Sequence, residues 1–322
     1  MFVSIPIHIK IHGYDISERV GGGSGMSIRP NTRLISGYMR DDDCRHMLNA
    51  LTRKTFGFDF EEWVTRGYYE GDYIPYSYVR DGKIISNVSV NRMDFWQNGS
   101  VRKYIQIGTV MTDPDCRGQG LASRLMRHVI DIYEEECDGI YLFGDLNALG
   151  FYRKLGFGTV NQYRYFVKEE FCTRGKAGPV LKPVRGGGDE IKKRYMDLVR
   201  KSARFSPFEQ MNRFGLQMFH TADLDNVFHM EDPDCFVVLT QGESMELKSI
   251  LCSEKIPLLA VLGHIGLNGR RCRLGFVPTE EDRELCISEI YDGGDDYRLF
   301  CRGEKLDAVE LDKLYFPDLS HA

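Results

Sequence analysis

Apolar residues recur along the chain in two periods, and the change from one to the other marks out its elements. Met47, Leu48 and Leu51 stand at helical spacing behind the acidic run Asp41-Asp42-Asp43, which predicts an N-capped helix over 44–56. A short strand over 33–38 precedes it, and a second helix over 60–66 follows. From Ile74 the period falls to two. The runs 74–79, 84–95 and 101–111 are separated by Asp81-Gly82 and Gln97-Asn98-Gly99, both strong hairpin signals, and read as a three-stranded antiparallel meander. Gly108 inside the third run predicts a bulge. Helical period returns over 117–137, with Leu121, Leu125, Val129, Ile132 and Tyr133 on one face. A short strand at 140–143, a helix at 148–155 closed by Gly156 and a strand at 159–167 complete this half.

Basic residues, two prolines and Gly186-Gly187-Gly188 then interrupt the pattern, so 169–188 reads as a linker between a domain at 26–168 and another at 189–322. The second half predicts a helix over 190–203, strands over 236–239 and 247–251, a helix over 258–265, and strands over 272–276 and 297–301. Its order of strand, strand, helix, strand loosely repeats the middle of the first half. Residues 1–25 differ from the rest. Alternating Ile5, Ile7, Ile9 and Ile11 run into Gly21-Gly22-Gly23-Ser24-Gly25, directly before Met26, which reads as an N-terminal extension with Met26 as an alternative start.

A length of 322 residues fits two domains. A net charge of −5, from 42 basic against 47 acidic residues, argues against a counterion-driven grip on nucleic acid or an anionic membrane, so any basic site must be local. Nine scattered cysteines, with no C-x-x-C pair and no Cys/His cluster at zinc spacing, read as reduced thiols and give no reason to expect a metal. No apolar run is long enough to span a bilayer, and no secretory signal pattern is visible, so a cytoplasmic location is expected.

The chemistry concentrates in Met111-Thr112-Asp113-Pro114-Asp115-Cys116-Arg117-Gly118-Gln119-Gly120-Leu121-Ala122-Ser123. A strand ends, a proline turn breaks it, and glycines open a long helix whose first N–H groups have no intrahelical acceptor. Such a terminus attracts anions, and bare glycines let a diphosphate reach the backbone. A dinucleotide fingerprint is the competing reading, because the glycines miss G-x-G-x-x-G only at the last position. The preceding strand belongs to a hairpin meander, however, where that fold needs a parallel βαβ unit.

Arg117-Gly118-Gln119-Gly120-Leu121-Ala122 matches R/Q-x-x-G-x-G/A, and Ala148-Leu149-Gly150-Phe151-Tyr152-Arg153-Lys154-Leu155-Gly156-Phe157 resembles the A-x-x-F-Y-x-K-L-G-F segment of GCN5-related N-acetyltransferases (GNAT). The resemblance implies an α+β fold, a mixed and mostly antiparallel sheet flanked by helices. The second half resembles the degenerate acetyltransferase-like domain of tandem members. The resemblance also implies that backbone N–H groups of Arg117, Gly118, Gln119, Gly120, Leu121, Ala122 and Ser123 hold the pyrophosphate of acetyl-CoA. Those near Val110 or Met111 would polarise the thioester carbonyl, and Tyr152 would protonate the departing thiolate. Where many members carry an asparagine contacting the cofactor arm, this chain has Asp145, with Asn147 two positions on. It also lacks a glutamate in the strand before the glycines, where Gln106 is the nearest polar residue. Asp94 and the terminal carboxylate of Ala322 are candidates for the base.

The activity so implied is transfer of an acetyl group from acetyl-CoA to a primary amine, on a small molecule or a peptide, by direct attack in a ternary complex. A non-catalytic acyl-CoA sensor is the alternative. Asp59, Glu61, Glu62, Glu70 and Asp72 cluster before the meander and favour a cationic acceptor. The second half reads Cys252-Ser253-Glu254-Lys255-Ile256-Pro257 where a glycine turn would stand, so it is not expected to bind a second coenzyme. It is expected instead to cover part of the acceptor cleft or to form a homo-oligomer contact.

Overall fold

The computed structural model describes residues 31–172, 181–295 and 297–322; the extension at 1–25, with the alternative start at Met26, and residues 173–180 of the linker lie outside the described residues. Two compact units divide the chain. One comprises residues up to Asn91 together with Gln106–Glu136, the other Arg92–Ile105 together with Cys137–Ala322. These cuts fall elsewhere than at 169–188.

The first unit holds β1 (Arg33–Ser36), α1 (Asp42–Phe56), α2 (Glu61–Thr65), β2 (Tyr73–Arg80), most of β3 (Lys83–Gln97), the second half of β4 (Ser100–Thr112) and α3 (Leu121–Tyr133). Its strands lie in the order β1-β2-β3-β4. β1 and β3 both run antiparallel to β2, and the β2–β3 turn uses left-handed Asp81 and Gly82, as a tight hairpin requires. Asp41 caps α1 by accepting the Cys44 N–H at 2.8 Å, and left-handed Gly57 ends it. α3 turns Leu121, Leu125, Met126, Val129, Ile130 and Tyr133 inward. Ile130 and Met126, rather than Ile132, extend the face expected from the sequence.

The second unit contains two sheets. The ends of β3 and β4, then β5 (Gly139–Asp145), α4 (Leu149–Arg153) and β6 (Gly158–Val160), belong to the first; β7 (Gln162–Val167) begins the other. After α5 (Glu169–Cys172) come β8 (Lys182–Pro183), α6 (Asp189–Lys201), β9 (Phe208–Gln210), α7 (Phe214–His220), β10 (Val227–Glu231), β11 (Asp234–Gln241) and β12 (Met245–Leu251). α8 (Leu258–His264), β13 (Cys272–Leu274), β14 (Cys286–Tyr291) and β15 (Tyr297–Arg302) follow. β15 lies between β5 and β6, antiparallel to both, and β9 pairs with the end of β3. The other sheet runs β14-β7-β13-β12-β11-β10-β8, and within it β12, α8 and β13 form a parallel crossover. The architecture is mixed α+β, with mostly antiparallel sheets flanked by helices.

The single strand expected over 159–167 is two strands in two sheets. Asn161 is the one poor strand former there, and a single such residue does not by itself end a strand pattern. The break is made by a distant partner, since Glu310 accepts the backbone N–H of Asn161 at 3.2 Å and its side-chain amide at 3.0 Å. The linker is likewise not bare chain at its end, because Lys182 and Pro183 pair with His229 and Phe228.

His321 is anchored in the second unit by its ring, stacked on Phe143 with centroids 4.0 Å apart, and by its carbonyl, 2.7 Å from Nε2 of His220. Burial pushes its imidazole down to about 4, against the opposing pull of Asp318. In the unfolded chain it titrates near 6.5. The unfolded state therefore binds the proton first as pH falls, and stability is lost from about pH 6.5 down to about pH 4, on the order of 3 kcal/mol in all. Urea midpoints measured across this range should fall with pH in the wild type and less steeply in His321→Phe.

Candidate functional site

The glycine turn lies wholly within the first unit. A 3-10 turn at Pro114–Cys116 is capped by Asp113, whose carboxylate accepts the Asp115 N–H at 3.1 Å and binds Nζ of Lys54 at 2.9 and 3.1 Å. The Lys54 ammonium holds the Asp113 carboxyl below the usual carboxylate range. Arg117 leaves this turn in an extended conformation and is exposed. Gly118 and Gly120 both adopt left-handed backbone, at φ +74° and +71°, with half-buried Gln119 between them. A Cβ built at either glycine meets nothing within 4 Å, so the turn presents bare backbone to open space.

Gly120 is the N-cap of α3 and no side chain caps it. The first intrahelical bond is Arg124 N–H to Gly120 O, at 3.1 Å. Leu121 is buried, while Ala122 and Ser123 are half-buried. The Arg117 N–H is taken by Pro114 O at 3.3 Å, and beyond it two left-handed glycines lead into the start of a thirteen-residue helix, a kind of terminus that suits a phosphate.

Sequence reading missed a second cation at this turn. Arg80, at the end of β2, reaches Gln119 Oε1 at 3.5 Å and Cys116 Sγ at 3.9 Å, while its Nε bonds Thr32 at 3.0 Å. The only available signal was an arginine just before the Asp81-Gly82 hairpin, and nothing local tied it to residues forty positions on.

Beside Gly108, where the sequence predicts a bulge, it is Thr109 that leaves extended backbone, with a left-handed φ of +38°. Side chains hold it there. Asn87 Nδ2 donates to Thr109 O at 2.9 Å, and Tyr73 OH meets Thr109 Oγ1 at 2.5 Å. The polar row continues through Asn87 Oδ1 to Ser77 at 2.7 Å and from Ser77 to Tyr38 at 2.5 Å. Ser89 and Asn91 on β3 and Gln106 on β4 are buried beside these positions in sequence, and both side-chain amide atoms of Gln106 lack a hydrogen-bond partner. Val110 is half-buried and Met111 buried, with its carbonyl accepting from Ser86 at 3.0 Å.

Tyr152 stands in the second unit, buried on α4. It packs over Gly144, where a Cβ would come within 2.7 Å of its ring, and 4.9 Å from the Phe300 ring. Burial, and secondarily the Asp145 charge, push its hydroxyl up to about 12. The ordinary value of about 10 is therefore not kept. Asn147 is exposed, and its N–H is taken by Asp145 Oδ1 at 2.6 Å, so Asp145 serves to cap the turn leading into α4. Asp94 is half-buried on β3.

The acidic cluster is largely spent internally. Glu61 holds the buried Arg45 through two bonds, at 2.8 and 3.0 Å, and also accepts from Asn49. Arg45 keeps its carboxyl below the usual range. Asp59 pairs with Arg53 and Glu62 with Arg66. The Glu61 carboxylate ties α1 to α2, whereas the Glu62–Arg66 pair bridges successive turns of the α2 segment. Among the described residues no group of three or more His, Cys, Asp or Glu side chains could hold a metal, and no helix is long and apolar enough to cross a membrane.

Residues 39–157 match the family model of the acetyltransferase (GNAT) family. A GCN5-related N-acetyltransferase from Kribbella flavida is similar in structure, with a TM-score of 0.52 at 16% identity over 86% of this chain and 72% of that one. A second, from Anabaena variabilis ATCC 29413, gives 0.51 at 14% identity over 84% and 72%. A conserved protein of unknown function from Enterococcus faecalis V583 gives 0.51 at 16% over 88% and 74%. At these identities the likeness is one of fold. No curated protein matches the chain. Acyl transfer is the general chemistry that the family match supports. The segment 39–157, which carries the uncapped glycine turn behind an antiparallel sheet, is the part of the chain similar to the acetyltransferase (GNAT) family.

Proposed function

We propose that the protein is an acyl-CoA-dependent N-acyltransferase that moves acetyl from acetyl-CoA to a primary amine, on a small molecule or a peptide, in the cytoplasm. One observation carries this reading: an uncapped helix start whose two left-handed glycines leave the backbone bare, inside the family-matched segment. The N–H groups from Gly118 to Ser123, with the Arg80 and Arg117 side chains beside them, hold the diphosphate; the Arg117 N–H itself is taken by Pro114 O at 3.3 Å. The amine nitrogen attacks the thioester carbon, the C–S bond breaks as the amide forms, and the proton lost by nitrogen is balanced by one gained at sulfur. An N–H group near Val110 or Met111, past Thr109, donates to the carbonyl oxygen as its charge develops.

Tyr152 donates to the thiolate. With its own hydroxyl near 12, full transfer to a thiol titrating near 8.5 is uphill by roughly three powers of ten, so its main contribution is a hydrogen bond that stabilises the leaving sulfur. The parallel crossover of β12, α8 and β13 supports reading 189–322 as a degenerate second domain of the same type. Pro257 as the α8 N-cap, in place of a glycine turn, fits its lack of a coenzyme site.

Calorimetry with CoA and acetyl-CoA, followed by thiol release over a panel of primary amines, tests the reading. Tyr152→Phe should lower kcat about 10- to 100-fold and leave coenzyme affinity unchanged. Failure to bind either coenzyme would end the proposal. Binding with no turnover on any amine would leave the acyl-CoA sensor.

A further inference from the structure

One peptide unit of β4 is held out of line by side chains of neighbouring strands. Thr109 has a left-handed φ of +38°, a conformation that its branched Cβ disfavours. Gly108, which could adopt it at no steric cost, stands one residue earlier and does not. The conformation is therefore imposed from outside the strand.

Asn87, fully buried on β3, imposes it. Its Nδ2 donates to Thr109 O and to Ser89 Oγ, both at 2.9 Å, and its Oδ1 accepts from Ser77 Oγ at 2.7 Å. Both amide hydrogens are spent and the oxygen is paired. A flipped amide would set two carbonyl oxygens 2.9 Å apart, so the orientation is fixed by its partners. Tyr73 OH, from β2, meets Thr109 Oγ1 at 2.5 Å, and two residues on Ser86 Oγ donates to Met111 O at 3.0 Å. Strain of this kind persists only where the surroundings over-determine it, as these side chains do.

The consequence lies at the other end of the same peptide. The bond between Thr109 and Val110 is trans, and a planar trans peptide points its N–H opposite to its C=O. With the Thr109 carbonyl drawn to Asn87, the Val110 N–H points away from that amide. We propose that Asn87 is a positioning residue for acyl transfer: by holding the Thr109 carbonyl it aims the Val110 N–H at the thioester carbonyl oxygen. The inference rests on the transfer from acetyl-CoA proposed above and names the residue that sets up its oxyanion contact. Asn87 acts through the backbone and touches no reacting atom.

Kinetics and calorimetry of the full chain test it. Asn87→Leu keeps the side-chain shape and removes the amide, which frees Thr109 to return to extended backbone. Its kcat should fall about 5- to 30-fold, the equivalent of the roughly 1–2 kcal/mol that a left-handed L-residue costs. Affinity for CoA, which has no acyl carbonyl, should not change. Adding Thr109→Gly to Asn87→Leu should return at least about half of the loss on a logarithmic scale, since glycine enters the left-handed region without a clamp. A purely structural Asn87 would show no such recovery. In the wild type, acetyl-CoA should bind about 3- to 10-fold tighter than S-ethyl-CoA, a thioether of the same length without the carbonyl, and this measurement needs no variant to fold. A kcat of Asn87→Leu within about twofold of wild type, a matching loss of CoA affinity, no recovery in the double variant, or equal binding of acetyl-CoA and S-ethyl-CoA would each overturn the inference and leave the acyl transfer standing. Absence of wild-type turnover on every amine would overturn the transfer itself, and the inference with it.

Discussion

Truncating Phe316 to alanine is expected to destabilise the protein by about 3–5 kcal/mol, measured as a lowered urea midpoint at constant slope. Its ring is fully buried and stacks on Tyr141 at 4.2 Å and 22°, with Phe208 at 5.0 Å, Phe95 at 5.4 Å and Phe143 at 5.9 Å. Those partners come from β3, β5 and β9, so a residue near the end of the sequence joins strands from both halves of the chain. The Phe316 N–H is fixed by Gln162 Oε1 at 3.0 Å, which leaves the segment little room to collapse into the void. A cost under about 1 kcal/mol would show that the cluster relaxes around the gap and is not the keystone described above. Phe316→Leu, which refills most of the volume, should recover more than half of the loss.

Gly120→Glu is expected to lower CoA affinity at least 100-fold, about 2.7 kcal/mol, while shifting the unfolding free energy by only about 1–2 kcal/mol. The two readouts have different origins. At φ +71° any L-residue pays backbone strain, but an added Cβ touches nothing within 4 Å, so the fold loses no packing. The carboxylate, by contrast, stands at the donor end of α3 and repels the diphosphate that the turn is built to hold. Calorimetry and urea unfolding on the same preparation separate them. Retained affinity would move the coenzyme away from this turn, whereas lost affinity with a collapsed midpoint would mean only that the fold failed.

Much of this was legible from local chemistry. Asp41 announced the start of α1, Asp81-Gly82 set the β2–β3 hairpin, and Gly118 and Gly120 marked a turn whose left-handed backbone is their reason for being glycine. What stayed hidden depends on partners distant in the sequence. The division of 159–167 between two sheets is made by Glu310, and the partners of Arg80 and Thr109 lie tens of residues away. The polar row through Ser77, Asn87 and Thr109 was masked by its own pattern, because serines and asparagines alternating with valines read as an exposed face and are in fact buried. Charge was misread for a related reason. An acidic cluster seen without its arginines looks available to a ligand, and Glu61 is already committed to Arg45.

The position of β15 between β5 and β6 imposes an order of events on synthesis. When Val160 leaves the ribosome, both neighbours of the missing strand exist, each with an unpaired edge, and the strand that joins them has yet to be made. At about 5–20 residues per second, Arg302 follows roughly 7–30 s later. For that interval the nascent chain carries two open edges that any other extended segment can template on. The second unit, to which β5, β6 and β15 all belong, therefore completes its first sheet only once Arg302 has been made, more than a hundred residues after the strands that β15 joins.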